Sequence, residues 1–427
     1  MVARRFVVAL AAFVSAAFAS SAFLSSAFVN TAFAQSSLDV PEGFLDRRLF
    51  EFDASAPFDL QLGGLAYAPD GAAVVYENGE VRVHRAGSAP RAIAELSPAV
   101  FGSFVELAPA GDAVFFGESS THRILRIPLD GSGAVVVDEI PANFDLAFAP
   151  LAAGPDIAGH GFVSGLGTTE RNSVWLLDDD PAAVNDEIIA GISPFSGPIA
   201  FDDDGSLYVV TAGRSDPFTG LPSETLVRFA AAQLASAIGD GALTIDDGVE
   251  LLDGLDGYFS LVWLDGTLYG TNLGFGVHPG GVDALDAANG FAPTTFAAAR
   301  IGDRGAHPSF LAARPGGGSF EAGSGEAGGA LLVAYGNFFD VSVVDEIQPE
   351  LWFVRGDADG TSVVELTDAV VVLDWLFFGS RAPETIAAGD VNGDGAHDIA
   401  DPVYLLNFLF RGGPQPPAPF PVRGPAR

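Results

Sequence analysis

The sequence predicts an all-β chain folded as a β-propeller of about six blades over residues 35–350, followed by a small α-helical module over residues 351–427. Three observations carry this. A strand, a tight Asp/Gly turn and a returning strand recur through the first segment. A second phrase, a later strand carrying one charged or polar residue, recurs with it. Near the end, a 12-residue acidic loop followed by an apolar helix occurs twice, 33 residues apart.

The first phrase reads Leu65-Ala-Tyr-Ala-Pro-Asp-Gly71 into Ala-Ala-Val-Val-Tyr76, Leu107-Ala-Pro-Ala-Gly111 into Asp-Ala-Val-Phe-Phe116, Ile199-Ala-Phe-Asp-Asp-Asp-Gly205 into Ser-Leu-Tyr-Val-Val210, and Leu261-Val-Trp-Leu-Asp-Gly266 into Thr-Leu-Tyr-Gly270. Alternating apolar runs on either side of such a turn are a β-hairpin signal. The second phrase is Arg123-Ile-Leu-Arg-Ile127, Ser173-Val-Trp-Leu-Leu177 and Thr225-Leu-Val-Arg-Phe229. With weaker copies at 144–150 and 309–344, the units number about six, of roughly 40 to 60 residues each, which is blade size. One or two β-sandwiches would not repeat a phrase at that spacing. Helical periodicity is confined to a short run at 230–238. The lone segment 48–53 is too short for a blade and is expected to pair with the last one, near 331–344, so that no sheet edge stays open. Alternation would put Phe50 and Phe52 on the buried side and Leu49 and Glu51 on the other.

These phrases resemble the blades of NHL-repeat and gluconolactonase-like propellers. The resemblance covers blade grammar only and implies a ligand site at one mouth of the central channel. Polar residues just beyond the recurring strands are the candidates: Glu77, Asn78, Glu118, His160, Asn272 and Asn337. Spread over several blades, they would either hold a divalent ion or satisfy turns and solvent at strand ends. No family catalytic residue can be placed on this chain. His278 and His307 stand in Gly-rich loops, and the acidic turns at 178–180 and 202–204 offer surface carboxylates.

The duplicated loops have calcium spacing. The second places Asp390, Asn392, Asp394, Asp398 and Asp401 at positions 1, 3, 5, 9 and 12, with Gly395 at the turn and the carbonyl of Ala396 at position 7. A hard cation takes about 6–8 oxygens, and such a loop can wrap round it. The first offers Asp357, Asp359, Thr361, Val363 through its carbonyl, Glu365 and Asp368. There Thr361 replaces a carboxylate and Ser362 replaces the turn glycine, so two Ca²⁺ sites are expected, the first weaker. Val370, Leu373 and Phe377 follow the first loop; Val403, Leu406 and Phe410 follow the second in register. The two halves are expected to bury Trp375, Phe377, Phe408 and Phe410 against each other and to stop at Gly379 and Gly412. This pair resembles a type I dockerin, which implies calcium-dependent folding and docking to a cohesin-like or cell-surface partner. It departs from cellulosomal dockerins at loop positions 10 and 11, where it has Leu366-Thr367 and Ile399-Ala400.

The opening residues look like a leader: Arg4 and Arg5, an apolar stretch, and Ala32-Phe33-Ala34 as a cleavage site, giving a signal peptide over residues 1–34. Ala17-Phe18-Ala19 is an earlier alternative. Export, to the periplasm, cell surface or medium, is the expectation, with no stable membrane span after cleavage. With 55 acidic residues against 20 basic ones and no cysteine, the chain repels nucleic acid and cannot use disulfides. A cysteine nucleophile is impossible, and neither a G-x-S-x-G elbow nor an H-E-x-x-H helix occurs. The reading is an exported calcium-binding protein whose propeller is a binding module attached by the dockerin-like tail. One rival is a secreted hydrolase, a lactonase or an enzyme of polysaccharide breakdown, with its site at the channel mouth. The other is a structural component of the cell envelope.

Overall fold

The computed structural model describes residues 36–53, 62–77, 79–85, 88–96, 102–168, 172–178, 185–193, 197–215, 222–255, 257–272, 280–301, 304–305, 307–315, 329–337, 341–350, 352–380, 382–383 and 385–425. Residues 1–35 (where the sequence suggests a leader), Asn78, His278 and most of the Gly-rich stretch at 316–329 lie outside them.

Six sheets, antiparallel apart from the short parallel strand Leu243–Thr244 added to the third, follow one another and form a six-bladed β-propeller. Blade 1 runs from Leu62–Tyr67 innermost to Arg91–Glu95 outermost, and blade 2 from Gly102–Leu107 to Val135–Glu139. Blade 3 starts at Asp145–Phe148, blade 4 at Ile199–Phe201, blade 5 at Tyr258–Leu264 and blade 6 at His307–Arg314. The recurring phrase is the hairpin of the first two strands. In blades 1, 2 and 4 it closes in the same way: Ala68, Ala108 and Asp202 each donate the backbone N–H across the turn, to Ala72, Ala113 and Ser206. The acidic turn at 202–204 serves this closure, since Asp202 Oδ1 accepts the amides of Asp204 (3.1 Å) and Ser206 (2.7 Å). The second phrase is the third strand of blades 2, 3 and 4. The short helical run is the helix Ala231–Asp240, which packs Leu234 and Ala237 between blades 3 and 4.

Alternation explains why strands inside the blades read as nearly continuous apolar runs. Ala66, Val74 and Tyr76 pack toward blade 2, whereas Leu65, Tyr67, Ala73 and Val75 pack toward blade 6. Both faces of each sheet are therefore buried, and the core is divided into six clusters, one between each pair of neighbours. Blades 1 and 2 approach closely at Gly63 and Gly102, where a Cβ on Gly63 would lie 2.5 Å from the Gly102 Cα.

The ring closes as the sequence predicts. Phe44–Asp53 is the outermost strand of blade 6, antiparallel to Val341–Pro349, with Phe50 opposite Val344 and Glu51 opposite Val343. Phe50 packs inward and Glu51 lies outward as expected, Leu49 does not lie outward, and the Phe52 side chain lies outside the described residues. A bulge between Arg48 and Phe50 breaks the alternation, so Leu49 and Phe50 both pack against the cluster between blades 6 and 1. Ser36–Asp39 separately extends blade 5 by pairing with Pro293–Ile301.

The seam carries charge. Asp345, fully buried, is paired with Arg48 and accepts the Tyr335 hydroxyl at 2.6 Å; Glu346 is paired with Arg47 and accepts the Tyr67 hydroxyl at 3.0 Å. Burial, and then the neighbouring Asp345, push the Asp46 carboxyl up to about 7, against the Leu38 amide and Arg48. The folded ring thus holds a proton that the unfolded chain releases near pH 4. Stability contributed by that proton is full below about pH 4 and is lost as pH rises through about 7. Asp46→Asn is expected to flatten this pH dependence in urea unfolding between about pH 5 and 8; an unchanged slope would remove Asp46 as its source.

Candidate metal loops and the propeller channel

After Pro349 the chain passes through Trp352–Phe353 directly into the first acidic loop. Each loop leads into a helix, Leu366–Phe378 and Ala400–Arg411, and each helix ends on a left-handed glycine, Gly379 (φ 64°) and Gly412 (φ 68°). A four-residue helical turn, Ile386–Gly389, precedes the second loop.

The two loops share one hydrogen-bond plan at the 33-residue offset. The position-12 carboxylate accepts two amides: Asp368 takes those of Asp359 (3.0 Å) and Glu365 (2.7 Å), and Asp401 those of Asn392 (3.2 Å) and Asp398 (3.0 Å). The position-1 carboxylate accepts the amide of the turn residue: Asp357 from Ser362 (2.9 Å) and Asp390 from Gly395 (3.3 Å). Ser362 adopts φ 65° and Gly395 φ 81°, so the serine sits in a left-handed conformation that its Cβ disfavours.

In loop one, one oxygen each from Asp357, Asp359 and Asp368 lie within 4.8 Å of one another. Oxygens on opposite sides of one Ca²⁺ are about 4.6–5.2 Å apart, so the set fits that ion. Burial first, then Asp359 and Asp357, push the Asp368 carboxyl up to about 6, a repulsion that a bound cation would relieve. Thr361, Val363 and Glu365 are exposed on the same loop. In loop two, Asp390 and Asp401 are buried, Asn392 is half-buried, and Asp394, Ala396 and Asp398 are exposed. Burial raises the Asp401 carboxyl as well.

The helices are turned about one residue from the expected phase. Asp368, Ala369 and Val372 are buried in the first helix, and Asp401, Pro402 and Leu405 in the second. Each closing aspartate must face its loop, and this sets the helix rotation. Phe377 (60% exposed) and Phe410 (65%) therefore point outward instead of burying each other, as do Val370 and Val403. Trp375 and Phe408 are half-buried, packed edge-on to His397 and Phe420.

The candidate channel-mouth residues do not converge. Glu77 and Glu118 end the second strands of blades 1 and 2, but each is buried and paired with an arginine of its own blade, Arg82 (3.1 Å) and Arg123 (2.5 Å). Asn272 and Asn337 end the second strands of blades 5 and 6, Asn272 half-buried; the side chain of Asn337, like all of Asn78, lies outside the described residues. His160 precedes the second strand of blade 3, at the hairpin end of the blade, and so belongs to the opposite face of the ring. Glu77 and Glu118 stand one layer away from the axis and pair their polar ends within their own blades.

The innermost strands carry two carboxyls that the repeat pattern hid among apolar positions. Burial first, then Asp145, push Glu106 up to about 8; burial pushes Asp145 up to about 7 against the amides of Ile199 and Leu146. The Phe144 ring meets Phe259 edge-on at 5.2 Å, and Phe259 meets Phe310 at 5.2 Å. Blades 3 and 5 are not neighbours, so the first contact crosses the channel.

No protein-family model matches this sequence, and no curated protein matches it. Solved structures similar to it include a gluconolactonase from Xanthomonas campestris (15% identity, 74% of this chain and 97% of that one, TM-score 0.46). A calcium-binding protein, regucalcin, from Agrobacterium tumefaciens matches at 14% identity over 72% and 96% of the two chains (TM-score 0.46). A putative glucose dehydrogenase from Thermus thermophilus matches at 16% over 71% and 100% (TM-score 0.46). Among the described residues no helix is long and apolar enough to cross a membrane.

Proposed function

We propose that this is an exported calcium-binding protein in which the six-bladed propeller is a binding module and the tail is a calcium-loaded, dockerin-like docking module. The observation that carries the reading is the identical carboxylate-to-amide plan of the two loops, with three loop-one carboxylates gathered at the span of one ion. Asp357, Asp359 and Asp368 would hold one Ca²⁺, and Asp390, Asn392, Asp394, Asp398 and Asp401 the other. The contact of Phe144 with Phe259 across the channel favours binding over a hydrolytic site on the axis.

A cohesin-like partner suits the tail's outer face. Leu366, Val370 and Phe377 are 46–60% exposed, and their 33-residue counterparts Ile399, Val403 and Phe410 are 49–65% exposed. Two equivalent apolar stripes outside a small module mark a protein-binding surface. The test is binding of the full chain to a panel of cohesin domains by surface plasmon resonance, with Ca²⁺ and with EDTA. Capture should need Ca²⁺ and be lost in Phe377→Ser with Phe410→Ser. Capture that survives EDTA, or that survives both substitutions, would refute docking through this face.

A further inference from the structure

The chain after the second helix folds back across loop two. Gly424–Pro425 pairs with the lead-in strand Trp352–Phe353, Arg423 donates to the Trp352 carbonyl at 2.9 Å, and Phe420 packs edge-on to Phe408 at 5.4 Å. Arg355 stands where these pieces meet. Its backbone N–H donates to the Pro419 carbonyl (2.7 Å), and its Nε to the Ala418 carbonyl (3.1 Å). Its Nη1 donates to both the carbonyl and the Oδ2 of Asp390, the latter at 3.2 Å, and the guanidinium lies over the Phe353 ring at 5.5 Å. The side chains of Arg355 and Asp390 are only 14% and 13% exposed. Gly393 leaves room for this layer, since a Cβ there would come within 2.7 Å of Pro417.

We infer that Arg355 is a positioning residue for the second calcium loop, and that through it calcium binding and closure of the C-terminal segment are one coupled event. The inference rests on the calcium reading above. A guanidinium presents five donors in a rigid fork, so one side chain can fix the ligand carboxylate, the backbone that carries it and the returning segment together. Metal-binding carboxylates depend on such outer hydrogen bonds for their orientation. Asp357, the corresponding first ligand of loop one, is the second residue after Arg355, but the guanidinium is turned to Asp390 of the other loop.

The test uses the full chain with loop one silenced by Asp357→Ala and Asp368→Ala, so that calorimetry reads loop two alone. Arg355→Gln should weaken Ca²⁺ binding about 10- to 100-fold, as loss of an outer-shell partner does. Phe420→Ala, which loosens the returning segment without touching Arg355 or a ligand, should weaken it as well. The double variant should lose less than the sum, because the two act as a unit. In wild type, Ca²⁺ should slow amide exchange at Arg355 and Gly424; in Arg355→Gln it should not. Tighter binding in Arg355→Gln would mean that the arginine competes for the cation's place and would overturn the inference, as would additive losses or unchanged affinity. Wild type that takes up no Ca²⁺ at either loop would overturn the calcium reading itself, whereas two filled sites indifferent to Arg355 would overturn only this inference.

Discussion

Removing residues 44–53 is expected to prevent the propeller from folding, and Arg48→Met alone to destabilise it by about 3–5 kcal/mol, the cost of leaving a buried charge without its partner. The strand contributes nine registered pairs to blade 6, together with Leu49 and Phe50 in the cluster between blades 6 and 1. It also supplies Arg48 to a carboxylate, Asp345, that is fully buried. Without Arg48, Asp345 keeps the Tyr335 hydroxyl and the neighbouring Asp46 carboxyl but has lost its cation. A whole domain is stable by about 5–15 kcal/mol, so the deletion, which adds nine strand pairs and two packed side chains to this loss, exceeds what the ring can absorb. Circular dichroism and limited proteolysis at rising temperature read both variants. A deletion variant that melts cooperatively at the wild-type temperature would show that the ring closes elsewhere.

Most of the propeller was legible because its physics is local and repeated. The same hairpin closure recurs in blades 1, 2 and 4, with its own aspartate capping the turn in blades 1 and 4, so the phrase starting at Leu65 and the phrase starting at Ile199 report the same backbone event. The closure was legible for a different reason: a strand too short to be a blade needs a sheet to join, and the last blade offers its outer strand. What stayed hidden was set by tertiary phase. The bulge at Leu49 inverts a facing that period-two alternation would fix, and nothing in the local residues announces it. In the tail, the apolar positions of the helices suggested Phe377 and Phe410 as core, but the inward turn of Asp368 and Asp401 overrides the hydrophobic stripe. Glu106 and Asp145 escaped notice because a single acidic residue in an apolar strand reads as the solvent side, whereas here both faces of each blade are covered and burial raises both carboxyls.

Calcium removal should unfold the tail and leave the ring intact, because the two are held together by different means. Each interblade cluster contains at least nine buried residues, and the tail's contains three: Ala369, Val391 and Leu405. So small a core does not sustain a fold alone, and metal-binding energy would become folding energy there. At affinities of about 10⁻⁴ to 10⁻³ M, Ca²⁺ at about 10 mM would stabilise each site by roughly 1.4–2.7 kcal/mol. Calorimetric scans are expected to show two transitions, with EDTA lowering one. Asp390→Ala with Asp394→Ala should abolish one of the two binding events in an isothermal titration and lower the tail transition. Ser362→Gly should act in the opposite sense on the other loop: relieving a left-handed residue at φ 65° is worth about 1 kcal/mol, or roughly fivefold tighter binding. If EDTA shifts both transitions equally, the propeller has a calcium site of its own or the two parts unfold as one. If the Asp390 and Asp394 substitutions leave both binding events in place, loop two is an acidic turn and not a metal site.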